Sequence, residues 1–211
     1  VHETKRAVAD GSLQAEVRRI VRELPDLGRS GEQLRDAVAE VLACFPVYRS
    51  YLPAGVEHLT VACAEARTRR ADLVAVLDAL EPVLADPDQP AALRFQQTSG
   101  AVMAKGVEDC AFYRTSRLTS LTEVGGDPSE FSLSVDEFHA AMAERQRDRP
   151  HAMTTTSTHD TKRGEDVRAR ITVLAELPHV WVEALDRLLT LVPLPDPGFG
   201  NLLWQAIVGA W

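Results

Sequence analysis

Apolar residues recur at intervals of three and four through most of the first ninety positions, and Pro or Gly separates the successive runs. In residues 12–24 the apolar positions are Leu13, Val17, Ile20, Val21 and Leu24. This spacing places them on one face of a helix. The same pattern returns in residues 34–45, 53–69 and 70–85. We therefore predict that the first half is a helical bundle.

Two short motifs predict where helices begin. Ser30 is followed three positions later by Gln33, and Ser134 is followed three positions later by Glu137. In such a capping box the hydroxyl and the longer side chain each bind the other residue's backbone N–H. We expect one helix to start after Ser30 and another to run from Ser134 to about Arg149.

An aromatic link, residues 47–52, separates two of the predicted helices. Alternation in this link predicts extended backbone. Its two aromatic residues, Tyr48 and Tyr51, either pack against the bundle or form a platform that faces a sugar, and the sequence leaves both readings open.

The pattern changes after Pro90, where two apolar or β-branched runs each lead directly into charges. Residues 101–104 form a short apolar run before Lys105, and residues 154–158 are hydroxyl-rich and end at His159 and Asp160. Both runs predict a strand followed by a charged loop and then a helix. In (β/α)-barrels the loops after the strands carry the catalytic groups, so His159 and Asp160 are candidates for chemistry on a carbohydrate or a similar ligand.

These patterns predict a mainly α chain. A helical bundle would occupy residues 1–97, and a few strand-loop-helix units with extra helices would occupy residues 98–211. The extra helices are expected in residues 180–191 and 201–211, and a turn is expected in residues 123–128.

Composition narrows the classes of partner. The chain has 211 residues, is 45% hydrophobic and 26% charged, and carries a net charge of −8 without a basic stripe. This balance argues against nucleic acid as a partner. No apolar run approaches a membrane span, and the polar start without Met is not a signal peptide. Three widely spaced cysteines suggest neither a disulfide framework nor a zinc site, so we expect reduced thiols and a cytoplasmic location. We also expect no cofactor.

Several motifs together resemble the maltooligosyltrehalose synthase family of the α-amylase clan. They are RFQQ at 94–97, VMAKGVED at 102–109, AFYR at 111–114, EVGGDP at 123–128, STHDTKRGEDVRAR at 157–170 and LLWQAIVGAW at 202–211. The resemblance covers nearly the whole chain. It implies an enzyme that isomerises the reducing-end α-1,4 bond of maltooligosaccharides to an α,α-1,1 bond, within a (β/α)8 barrel that contains inserted helices.

The resemblance also implies which catalytic groups this chain contains and which lie outside it. A retaining mechanism needs two carboxyl groups roughly 5 Å apart. In the clan a third aspartate supports the distorted sugar, and Asp160 matches it, with His159 beside it. The nucleophile and the acid/base would lie upstream of Val1, so we expect this chain to be a fragment, inactive alone, whose partners are the maltooligosaccharide and the remainder of the catalytic barrel.

Further positions match the motifs and are candidates for substrate binding: Lys105, Glu123, Lys162 and Arg163. The cations could hold the released glucose while its anomeric hydroxyl turns back on the glycosyl-enzyme. The alternative for each is a salt bridge to a neighbouring acid. Arg168 and Arg170 lie within a predicted helix, and we expect them to be structural.

Two other classes remain open. In an HD-type metal phosphohydrolase, His139 or His151 would bind a divalent metal together with His159, Asp160 and Asp186. That arrangement needs His159 and Asp160 within a helix. The third reading is a non-catalytic helical interaction module.

Overall fold

The computed structural model describes residues 1–127 and 130–211, so Pro128, the last residue of the predicted turn, lies outside the described residues. The chain forms two compact units, Val1–Ala111 and Phe112–Trp211. The division predicted between residues 97 and 98 falls inside a helix of the first unit. Both units are mainly helical, and the only β-pairing within the described ranges is an isolated bridge between Tyr51 and Ala54.

The first unit is a helical bundle, as predicted. Its α-helices are α1 (His2–Asp10), α2 (Gln14–Arg22), α3 (Gly31–Cys44), α4 (Val56–Arg69), α5 (Val74–Ala85) and α6 (Pro90–Met103). A 3-10 turn, Ala71–Leu73, precedes α5, and a π-helix, Ala104–Ala111, follows α6.

Helix α3 lies at the centre of this bundle. Its predicted capping box is confirmed, since the Ser30 hydroxyl accepts from the backbone N–H of Gln33 and the Gln33 side chain accepts from that of Ser30. Its apolar side chains are buried against the neighbouring helices α1, α2, α4, α5 and α6. Because nearly every residue of α3 after its first turn is buried, this helix organises the core of the unit.

The π-helix packs closely on α1 at Gly106. A Cβ on Gly106 would lie 2.6 Å from Cγ and 2.7 Å from Cα of Lys5. Only glycine allows this approach. The Lys5 side chain is itself buried, and its Nζ donates to the carbonyl oxygen of Phe45 at 2.5 Å.

In its described residues, 112–127 and 130–211, the second unit contains five α-helices and shorter 3-10 turns. The α-helices are α7 (Phe112–Arg114), α8 (Val135–Asp148), α9 (Glu165–Thr172), α10 (Pro178–Leu191) and α11 (Pro197–Ala210). The 3-10 turns are Thr119–Leu121, His159–Thr161 and Val173–Ala175. The capping box at Ser134 and Glu137 is confirmed at the start of α8.

Burial in the second unit is concentrated where α9 meets α11. Ile171 is fully buried there, and a Cβ on Gly209 would lie 2.7 Å from Cγ1 of Val167. In contrast, no residue of α8 or α10 (residues 135–148 and 178–191) is buried. Several large apolar side chains of these helices are exposed: Val135, Phe138, Met142, Val180, Val182 and Leu191.

Of the two strand predictions, one is wrong and the other is not confirmed within the described residues. Residues 101–104 are helical, because the apolar spacing of α6 continues past Gly100 into the π-helix. The helix expected after the charged loop at Lys105 is therefore part of that continuous run. At the end of residues 154–158, Thr158 has extended backbone (φ −133°, ψ 174°). This run pairs with no strand within the described ranges. A strand needs a neighbour to satisfy its backbone groups, and the described part of the chain provides none.

No helix in the described part of the chain is both long enough and apolar enough to span a membrane.

Candidate functional site

The candidate site is a tight turn in the second unit that carries His159 and Asp160. Thr158 caps the turn, because its hydroxyl oxygen accepts from the backbone N–H of Asp160 at 3.1 Å and of Thr161 at 3.2 Å. In return, the Thr161 hydroxyl accepts from the Thr158 N–H at 3.1 Å. The local sequence folds this way because a Thr-x-x-Thr pair satisfies the backbone groups that a single helical turn leaves unpaired.

The turn ends in an unusual backbone conformation at Lys162. Lys162 has φ 60° and ψ 2°, the left-handed region, and its N–H donates to the carbonyl oxygen of His159 at 3.3 Å. Among the described residues it is the one non-glycine residue with a positive φ. Such backbone costs about 1–2 kcal/mol for an ordinary residue and persists only where its surroundings enforce it.

Lys162 and His159 both contact one oxygen of Asp160. Nζ of Lys162 donates to Oδ1 of Asp160 at 2.9 Å, and Nδ1 of His159 lies 3.0 Å from the same oxygen. These contacts lower the pKa of Asp160, the Lys162 bond contributing most. The Asp160 side chain is 38% exposed, and within residues 1–127 and 130–211 no hydrogen-bond partner is seen for its Oδ2. The site therefore offers an ionised carboxylate with one oxygen open to a ligand.

Glu123 and Arg163, both predicted to bind substrate, make protein contacts beside this turn. NH1 of Arg163 donates to the carbonyl oxygen of Thr119 at 3.3 Å, and burial lowers the pKa of Arg163. Glu123 accepts from the backbone N–H of Val124 at 3.0 Å and forms an ion pair with Arg168 at 3.1 Å. The structure thus brings both residues into the network that supports the turn.

Arg168 is the centre of that network. It donates to the carbonyl oxygens of Ser120 at 3.2 Å and Thr156 at 2.6 Å, besides its ion pair with Glu123. Arg170 donates to the carbonyl oxygen of Gly209 at 3.1 Å. The predicted structural roles of both arginines are confirmed, because each cation is used to satisfy backbone carbonyls of other segments.

Two buried residues that bond the segments around the site were not predicted from the sequence. Thr161 is fully buried beneath the turn. Gln205 of α11 is also fully buried; its side-chain oxygen accepts from the Thr119 N–H at 2.7 Å, and its Nε2 donates to the Ser116 carbonyl at 2.7 Å. A Thr three positions after another Thr was the available signal for Thr161, whereas nothing local marks Gln205.

Lys105 lies in the other unit, on the π-helix. Its Nζ donates to Oδ2 of Asp109 at 2.7 Å, and its side chain is 60% exposed. The salt bridge considered as its alternative role is therefore formed. Tyr48, in the aromatic link of the same unit, donates its hydroxyl to Glu108, while Tyr51 is exposed and stacks under Arg49.

The metal-site alternative finds no geometric support. Across the described residues, one group has three possible ligand atoms close enough for a metal: His2, Glu40 and Cys44. None of these belongs to the predicted phosphohydrolase set. Moreover, Arg6 donates to Oε2 of Glu40 at 2.7 Å, and the Cys44 thiol has its pKa raised to about 12, chiefly by burial. These features describe an ion-pair network that disfavours a thiolate ligand.

Comparisons with known proteins agree with the motifs. No family model matches the chain. A Mycobacterium tuberculosis (strain H37Rv) protein named as a maltooligosyl trehalose synthase is 43% identical over 201 residues, which are 95% of this chain and 26% of that protein. The solved structure of maltooligosyltrehalose synthase from Arthrobacter ramosus is 56% identical, with a TM-score of 0.94, over 100% of this chain and 28% of that one.

A hypothetical maltooligosyl trehalose synthase from Sulfolobus tokodaii is a more distant structural match. It is 30% identical with a TM-score of 0.74, over 100% of this chain and 27% of that one. The chain is thus homologous along its whole length to enzymes of this name, and it spans about a quarter of the length of each.

Proposed function

We propose that this chain is the part of a maltooligosyltrehalose synthase that supplies the third carboxylate of the active site. The longer protein would convert the reducing-end α-1,4 bond of maltooligosaccharides to an α,α-1,1 bond by a retaining mechanism. The observation that carries this proposal is the exposed Asp160 carboxylate, held ionised by Lys162 and His159 within the motif shared with the family.

Asp160 would act on the sugar ring during bond cleavage. Its open oxygen can accept hydroxyl protons of the glucosyl unit next to the reacting carbon. These hydrogen bonds would strengthen as the ring flattens and gains positive charge towards the oxocarbenium-like transition state. His159, whose side chain is 91% exposed, is free to turn and donate to a neighbouring hydroxyl.

Lys105, which is exposed, would bind a sugar hydroxyl independently of the Asp160 turn. Lys162 would act after cleavage, because it lies against Asp160 and can donate to a hydroxyl of the released glucose. Holding that glucose would favour attack by its anomeric hydroxyl over attack by water, and thus isomerisation over hydrolysis. Glu123 and Arg163 would contribute by fixing the segments around the turn.

The nucleophile and the acid/base would come from the rest of the protein, and so would the other barrel strands. Exposed apolar side chains on α8 and α10 support this division, because a covering layer would remove them from water. In this proposal the first unit is the helical insertion and the second unit belongs to the later part of the barrel. The extended residues before His159 would then pair with barrel strands.

The test is to incubate a longer protein, extended to include the upstream carboxylates, with maltopentaose. Loss of reducing ends and the appearance of the α,α-1,1 anomeric proton by NMR would report isomerisation. Asp160→Asn should abolish both signals in a protein that remains folded. A folded longer protein that shows neither signal would refute the proposal.

Asp186→Asn separates this function from the metal phosphohydrolase. Asp186 is exposed on α10 and would bind the metal only in the latter class. Isomerase activity that survives in Asp186→Asn and in the presence of a chelator supports the synthase. Phosphoesterase activity lost in both cases would favour the alternative.

A further inference from the structure

The pair formed by Asp160 and Lys162 needs an explanation, because residues two positions apart do not face each other on a helix. In an extended segment they share a face but lie roughly 6–7 Å apart along the strand. Here Nζ of Lys162 reaches Oδ1 of Asp160 at 2.9 Å. The left-handed backbone at Lys162 makes this approach possible, since it turns the chain sharply after the 3-10 turn.

Something must hold Lys162 in that conformation, and Thr161 is placed to do so. Its side chain is fully buried directly below the turn. The hydroxyl lies 2.8 Å from the Thr158 carbonyl oxygen and 2.9 Å from the Arg163 carbonyl oxygen, and it can donate to either. It also accepts from the Thr158 N–H at 3.1 Å. One hydroxyl thus joins the residue before the turn to the residue after Lys162.

We propose that Thr161 is a positioning residue of the synthase site: its buried hydroxyl holds the turn that places the Lys162 ammonium against Asp160. Thr161 does not itself contact the sugar. This role rests on the proposed function for its importance to catalysis, but its structural part can be measured without any activity.

The experiment compares Thr161→Val with Thr161→Ser in this chain. Valine keeps the shape and loses the hydroxyl, whereas serine keeps the hydroxyl. The readout is the titration of the Asp160 carboxyl carbon by NMR. Lys162 is the main cause of the lowered pKa of Asp160. Thr161→Val should therefore raise this pKa as much as Lys162→Met does, and Thr161→Ser should leave it low.

The double variant Thr161→Val with Lys162→Met makes the test specific. If Thr161 acts through Lys162, the pKa of Asp160 in the double variant equals that in Lys162→Met alone. Thr172→Val is the matched control, since the Thr172 hydroxyl also bonds within the unit, to Ser120 at 2.9 Å, but does not touch the turn. An unchanged pKa of Asp160 in a folded Thr161→Val chain would overturn the proposal.

Two further outcomes are distinguishable. If Thr161→Val does not fold, Thr161→Ala replaces it, because it also removes the hydroxyl that joins Thr158 to Arg163 and adds no bulk. In the longer protein, Thr161→Val should lower kcat at least tenfold, with KM nearly unchanged. A shifted pKa in this chain, combined with no isomerase activity in the longer wild-type protein, would refute the proposed function and leave the positioning role standing.

Discussion

The ammonium group of Lys162 lies 2.9 Å from Oδ1 of Asp160, and the lysine adopts left-handed backbone to reach it. The residue at position 162 must therefore tolerate a positive φ, which residues other than glycine adopt only at a cost in free energy. The ion pair between Lys162 and Asp160 therefore depends on the left-handed backbone conformation of residue 162.

The first prediction concerns that backbone. Lys162→Val should be less stable than Lys162→Gly by about 2 kcal/mol, because valine is strained at φ 60° and glycine is not. Both variants lose the ion pair with Asp160, so the comparison isolates the backbone. Urea unfolding of the two variants provides the measurement.

Lys105 is the matched control for this comparison, since it lies in helical backbone. There the order should reverse, with Lys105→Gly less stable than Lys105→Val. Equal stabilities at position 162 would show that the chain relaxes without cost and would contradict the prediction.

The second prediction concerns Gly106, the residue of the π-helix that lies against Lys5 of α1. Gly106→Ala should lower the free energy of unfolding of the first unit by about 2–3 kcal/mol, because the added Cβ would lie 2.6–2.9 Å from atoms of Lys5, including its backbone. Gly100→Ala, in α6, is the control: its Cβ would lie 3.5 Å from the Tyr48 carbonyl oxygen, an ordinary contact. That variant should be neutral or stabilising. Equal effects at both positions would exclude a tight contact at Gly106.

The third prediction is a pH dependence set by Lys5. Burial lowers the pKa of Lys5 from 10.5 to about 8. Between these values the unfolded chain binds more protons than the folded chain, so the free energy of unfolding should rise with pH. We expect a contribution of the order of 2 kcal/mol.

Urea unfolding at pH 7.5 and at pH 10 measures this effect in the wild-type chain and in Lys5→Met. Other titrating groups are common to both proteins, so the difference between their pH profiles isolates Lys5. Identical pH profiles would mean that folding does not lower the pKa of Lys5.

The fourth prediction concerns the network behind the site. Arg168→Lys should destabilise the second unit by about 2 kcal/mol, because an ammonium cannot reach both the Ser120 and Thr156 carbonyl oxygens while pairing with Glu123. Arg187→Lys serves as the control, since Arg187 is exposed and lies 3.7 Å from Glu183. Its effect should stay below about 0.5 kcal/mol. The thermal midpoints of the two variants decide the question.

The sequence predicted features that depend on near neighbours. The helices of the bundle, both capping boxes and the structural roles of Arg168 and Arg170 follow from spacing and local chemistry, and the structure confirms them. The strand at 101–104 was wrong, because a short apolar run has the same composition in a buried strand and in a buried helix.

Contacts between distant segments could not be predicted. Gly106 against Lys5 and Gln205 against Thr119 join positions 101 and 86 residues apart, and no local pattern marks either partner. The strand expected before His159 depends on neighbouring strands for its hydrogen bonds, so its sequence alone cannot make it a strand. The motif singled out Asp160, His159 and Lys162 as candidates, but neither the left-handed backbone of Lys162 nor its contact with Asp160 was predicted.

Helices α8 and α10 (residues 135–148 and 178–191) bury none of their side chains, whereas α3 buries most of its own. Little packing would be lost if either outer helix opened by itself, so such local opening costs far less free energy than unfolding the bundle core. Backbone amides of α8 and α10 would therefore exchange their hydrogens with solvent early, and those of α3 last.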